Sequence, residues 1–173
     1  MKMTREDILL NSIWTSGKMM VYSDFFRQEV QLSLFTSDFN LKNTKHIISE
    51  KFVETLNDFL NLSENSKPLI KQLLYKHCVA CCENISYGFD PLEGESEMQA
   101  NLREFGINNE EDAFEKTSLN HVVIEENKLR INRFVRLVFY PEWENEHGCE
   151  LILRNGELLD HYGESDTYLG QFD

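Results

Sequence analysis

Cys149-Glu150-Leu151-Ile152-Leu153-Arg154-Asn155-Gly156-Glu157-Leu158-Leu159-Asp160-His161-Tyr162 reads as two strands joined by a tight turn. Asn-Gly between apolar runs is the strongest short-range hairpin signal in the chain, because both residues tolerate the backbone that a two-residue turn requires. On its N-terminal side, residues 129–140 form the next strand. Leu129, Ile131, Val135, Leu137 and Phe139 alternate on one face, with Phe134, Val138 and Tyr140 on the other, so this strand is expected to be central and covered in part on both sides. Asn127-Lys128 offers a turn back to a strand over 119–126. Near the start, Gln28, Val30, Leu32 and Leu34 alternate with Arg27, Glu29, Gln31 and Ser33, the period of a half-buried strand. A weaker strand over 18–22 can pair with it across Ser23-Asp24.

Between these β-rich ends lie the helices. Ser49 is a good N-cap, and Phe52, Val53, Leu56, Phe59 and Leu60 recur along one face of the helix it opens. A second helix opens near Ser66, tolerates Pro68 in its first turn, and runs through Ile70, Leu73, Leu74, His77, Cys81 and Ile85 until Gly88 supplies a stop. The short link between them predicts an antiparallel helical hairpin. Residues 90–118 are acidic and broken by Pro91, Gly94 and Gly106, which reads as a mobile acidic loop with a short helix over 110–116. The expected fold is therefore a single α+β domain over 1–173: an antiparallel sheet with two main helices packed on one face.

A chain of 173 residues, 41% hydrophobic and 12% aromatic, is long enough to bury a core without metal or disulfide help. No apolar stretch approaches a membrane span or a signal-peptide core, so a cytoplasmic location is expected. Cys78, Cys81 and Cys82 crowd one helix while Cys149 stands apart, which suits reduced thiols better than a disulfide framework. Charge is unevenly divided. Residues 1–89 hold ten acidic and ten basic side chains; residues 90–173 hold twenty acidic and seven basic, so the second half carries the entire net charge of −13. Such a surface repels phosphate backbones and anionic lipid and attracts a basic protein, mainly by raising the association rate. A basic protein partner is expected, and neither nucleic acid nor membrane. The sequence carries no signal of oligomeric state.

Two clusters could carry chemistry. In His77-Cys78-Val79-Ala80-Cys81-Cys82 the C-x-x-C lies in mid-helix, away from the helix N-terminus where the dipole would lower a thiol pKa, and no second ligand pair completes a zinc site. Small buried thiols on a core helix are the expected role. Pro141-Glu142-Trp143-Glu144-Asn145-Glu146-His147-Gly148 places carboxylates beside an imidazole between two strands, and the hairpin brings Asp160 and His161 within reach. Carboxylates with histidine can bind a divalent metal or serve as acid and base. The plainer expectation is a structured turn with Trp143 pinned on the sheet and Gly148 at positive φ. With no nucleophile, phosphate loop or H-E-x-x-H, no catalytic residue, metal or cofactor is assigned. His46 and His121 stand alone and receive no role, and Tyr168, Leu169 and Phe172 are expected to fold back on the sheet.

Trp143-Glu144-Asn145-Glu146-His147-Gly148, succeeded by a short strand, the Asn155-Gly156 turn and a strand ending at Gly163, resembles the W-[D/E]-x-E-H-G hairpin of a family of small acidic bacterial proteins of unknown function. Some relatives in that family are thought to be immunity proteins. The order of elements is similar too: an N-terminal strand pair, a helix opening near Ser49 and a second helix ending in Tyr87. By that resemblance Trp143, Glu146, His147 and Gly148 match the motif. The expected function is an acidic protein-binding module, in its sharpest form an immunity protein neutralising a basic toxin. Its binding residues are expected to be Trp143, Glu144, Glu146, His147, Asp160 and His161. The alternative is a metal-dependent enzyme in which Glu144, Glu146, His147 and Asp160 or His161 converge.

Overall fold

The computed structural model describes residues 2–13, 17–36, 48–126, 129–144, 146–164 and 167–173; the proposed Asn127-Lys128 turn and His46 lie outside them. A seven-stranded sheet runs in strict sequence order: β1 (Ser12–Ile13), β2 (Lys18–Ser23), β3 (Gln28–Thr36), β4 (Thr117–Glu126), β5 (Phe134–Pro141), β6 (Cys149–Arg154) and β7 (Glu157–Gly163). Every ladder is antiparallel except β3–β4, which is parallel from Gln31↔His121 to Thr36↔Glu126. That one departure from the expected antiparallel sheet has a topological cause. The chain leaves β3, builds its helices and returns in the direction it left, as a parallel crossover of this length allows. A short helix α1 (Arg5–Asn11) precedes the sheet.

The strands arise from alternation. In β2, Met19, Val21 and Ser23 face inward while Lys18, Met20 and Tyr22 face out; in β3, Val30, Leu32 and Leu34 continue the buried row. The β6–β7 turn confirms the Asn155-Gly156 reading, with φ of 52° and 87° at its two residues. β5 is shorter than expected. It opens at Phe134, and Leu129 and Ile131, assigned inward from periodicity, are 93% and 89% exposed. Polar anchors win over periodicity there. The Asn132 backbone N–H donates to Asp173, the Arg133 N–H donates to Asn155, and the Arg133 guanidinium grips Asp58 at 2.8 Å and Glu54 at 3.2 Å, holding 129–133 as a bend.

Helix α2 (Glu50–Leu60) is capped as expected: the Ser49 hydroxyl accepts from the Phe52 N–H at 3.0 Å. α3 (Lys67–Asn84) starts with Pro68 in its first turn. Both cover one face of the sheet, α2 above β4 and β5, α3 above β6 and β7. Phe52, Leu56, Phe59, Ile70, Leu73 and Leu74 close over Val122, Ile124, Leu137, Leu151 and Leu153 to form the main core. The helices packed directly on α3 are α4 (Glu97–Phe105) and α5 (Glu110–Glu115), so 90–118 is not an irregular loop. A capping box between Ser96 and Gln99 starts α4, Gly106 stops it at φ 68°, and Asn109 caps α5. These helices enclose a second, smaller core of Cys78, Cys82, Ile107, Ala113 and Trp143. The opposite sheet face has its own cluster, in which Leu169 and Phe172 of the tail fold back on Phe134 and Ile152, while Tyr168 stays 74% exposed. On that face Glu150, 1% exposed, is held by Arg136 at 3.0 Å, and Arg136 also reaches Glu125 at 3.2 Å. No helix among the described residues is long and apolar enough to cross a membrane.

Candidate functional site

The connection from β5 to β6 is anchored at its centre by Trp143, which is 2% exposed. Its indole N–H donates to Nδ1 of His77 at 3.0 Å, and its carbonyl accepts the Tyr87 hydroxyl at 2.8 Å. The backbone N–H of Glu142 bonds to the Lys116 carbonyl, tying the turn to the end of α5. Glu144 organises the next residues of the turn: its Oε1 accepts the N–H groups of Glu146 and His147, both at 3.0 Å. Gly148 closes the turn at φ 70°, where a Cβ would stand 2.6 Å from the Phe139 carbonyl oxygen. Only glycine satisfies both the backbone and that contact.

Beside this turn lies a cleft of about 470 Å³. Trp143, Tyr87 and Ile85 give it an apolar wall; Glu144, Glu146, Glu164 and His147 complete the lining, with no lysine or arginine among them. Four of the six residues singled out from sequence, Trp143, Glu144, Glu146 and His147, therefore meet at one place. Asp160 and His161 do not join them. Successive side chains on a strand point to opposite faces. Asp160 pairs with Lys76 of α3 at 3.3 Å, and His161 lies on the far face against the Phe172 ring at 4.9 Å. The sequence reading missed Ile85, Tyr87 and Glu164 as lining. Tyr87 had a signal, since it and Phe89 flank a helix stop, and the two rings pack with Phe105 of α4 to frame that wall. Glu164 carried no local signal.

The helix behind the cleft is inert where the C-x-x-C raised the question of chemistry. His77 is 5% exposed, and desolvation holds its imidazole below the usual histidine range against the opposing pull of Glu144 and Glu164. Because Nδ1 accepts from the indole, the ring proton sits on Nε2, facing the Cys81 sulfur at 3.6 Å. That tautomer cannot take a proton from Cys81, and burial pushes the Cys81 thiol up to about 12. Cys78 and Cys82 are buried in the second core with their sulfurs 4.0 Å apart. Among the described residues no group of three or more His, Cys, Asp or Glu side chains is placed to hold a metal ion.

Residues 4–169 match a family described as a domain of unknown function (DUF6985). No curated protein is significantly similar to the chain. Nor does any solved structure match it.

Proposed function

We propose, from the premise that the chain belongs to the DUF6985 family, that it is an acidic binding module whose cleft receives a cationic side chain of a basic protein. The observation that carries this reading is the cleft at Trp143, where Glu144, Glu146 and Glu164 stand beside aromatic rings with no lysine or arginine among the described lining residues to neutralise them. A lysine or arginine entering there gains ion pairs and contact with an aromatic wall, both strengthened by partial desolvation. The surrounding charge favours the same class of partner. Of the acids in 90–173, Glu111 and Asp160 are claimed by Lys71 and Lys76 from the first half, while Glu146 and Glu164 at the cleft have no lysine or arginine within salt-bridge distance among the described residues. The role that this chemistry and the resemblance of the Trp143–Gly148 motif jointly favour is that of an immunity protein neutralising a basic toxin. The metal-enzyme alternative has no donor set among the described residues to support it.

The test is capture of partners at low salt from the source cell, then association kinetics of the recovered protein. The reading expects a basic protein whose association rate falls steeply as salt screens the long-range attraction, and falls again with Glu146→Gln plus Glu164→Gln. Recovery of no basic protein, or an association rate indifferent to both salt and the double substitution, overturns it.

A further inference from the structure

His77 is a buried titratable group that the binding reading leaves without a role, and its surroundings make it more than packing. It accepts the Trp143 indole N–H at 3.0 Å, and Trp143 walls the cleft. An indole N–H can only donate. A proton on Nδ1 would therefore place two donors head to head across that distance, and the bond between α3 and the β5–β6 turn would be lost. We propose that the His77–Trp143 pair is a proton-operated latch, closed while the imidazole is neutral and released on mild acidification, so that the turn carrying Glu144, Glu146 and His147 loosens and the Trp143 side of the cleft wall shifts. The regulatory consequence rests on the cleft being the cation site; the latch itself does not.

The groups facing His77 set the direction. On its own helix, Cys81 lies 3.6 Å from Nε2 as a neutral thiol, and Lys76 is engaged by Asp160. From β7, the Tyr162 ring stands edge-on at 5.8 Å. Cys149 of β6 is a buried neutral thiol. The charges of Glu144 and Glu164 favour the imidazolium, but burial is the larger influence and favours the neutral ring. A depressed pKa means that the closed state binds its proton later than the open one. The latch contribution is then complete above the unperturbed value of 6.5 and is lost as pH falls through the lower folded value. Two further ties, the Tyr87–Trp143 bond and the Lys116–Glu142 backbone bond, keep the turn attached when the latch opens, so opening is local.

The experiment uses the full chain with Trp14→Phe, which leaves Trp143 as the single tryptophan of the two. Its indole N–H resonance is tracked from neutral pH to about pH 5 alongside far-ultraviolet circular dichroism and the affinity of an arginine-rich peptide. The expected result is a one-proton step in the indole resonance below pH 6.5 with helicity unchanged, and peptide affinity falling on the order of tenfold in step. His77→Asn supplies a non-titrating acceptor close to the position of Nδ1 and is expected to abolish both changes, which separates His77 from His147 on the cleft rim. Should that variant not fold, Trp143→Phe removes the opposing donor and is expected to flatten the pH dependence of peptide affinity. An indole resonance that does not move, or moves only as helicity is lost, or steps equally in His77→Asn, overturns the latch. A clean indole step with no peptide binding at any pH upholds the latch and overturns the basic-partner reading.

Discussion

Among single residues, the site depends on a few positions whose chemistry is not exchangeable. Gly148 combines a left-handed backbone with a carbonyl oxygen 2.6 Å from where a Cβ would sit. Gly148→Ala is expected to cost about 1–3 kcal/mol, since strain in φ and a backbone clash add. Urea unfolding is the check, and a loss near zero would mean that the turn relaxes freely and is no rigid platform. Trp143 and the motif around it were legible because a large aromatic, a turn glycine and carboxylates in one short run suggest a pinned turn. Asp160 and His161 do not reach the cleft, because proximity through a hairpin says nothing about where each side chain goes: alternation puts them on opposite faces of β7, Asp160 against Lys76 of α3 and His161 against Phe172. Glu164, which does line it, comes just after the last strand with nothing in its neighbours to mark it.

Among the helices, strands and turns, most local signals with a physical mechanism read correctly, the capping box of α4 being the exception. The Ser49 cap, Pro68 in the first turn of α3 and the Asn155-Gly156 turn each solve a specific backbone problem, and each stands where the sequence placed it. α4 was missed because its helix face is short and its acidic, glycine-broken surroundings resemble a loop; what makes it a helix is the Ser96–Gln99 capping box and its docking on α3. Leu129 and Ile131 were misread in the opposite sense, since alternation continued past the point where Arg133 and Asn132 pull the chain out of the sheet. The docking of α4 rests in part on Asn101, fully buried, whose amide donates to the Cys82 carbonyl at 2.9 Å and the Ile85 carbonyl at 3.3 Å. These carbonyls belong to the end of α3 that leads into the cleft wall. Asn101→Ala is expected to lower the unfolding free energy by about 1–3 kcal/mol, the cost of stranding buried acceptors, and to raise amide exchange across 85–106. Unaltered exchange there would show that α4 does not hold that wall.

Across the entire chain, an unbalanced second half is folded onto a balanced first half, and the two meet along α3, at the β3–β4 ladder and where α2 covers β4 and β5. Lys71 and Lys76 of that helix absorb Glu111 and Asp160, Lys116 takes Glu142 at 3.3 Å, and Arg136 pairs with buried Glu150 and half-buried Glu125 on the sheet. What remains at the cleft is acid with no lysine or arginine among the described lining residues, set against aromatic carbon. The cleft, and not the negative surface at large, is proposed to take the partner's cation. Backbone and indole chemical-shift mapping with an arginine-rich peptide distinguishes these two. Shifts are expected to concentrate at 85–87, 143–147 and 164, to diminish with Glu146→Gln plus Glu164→Gln, and to be unaffected by Glu157→Gln on β7. Shifts spread evenly over the exposed acids of α4, α5 and β7, with Glu157→Gln weakening binding as much as the cleft substitutions, would contradict it.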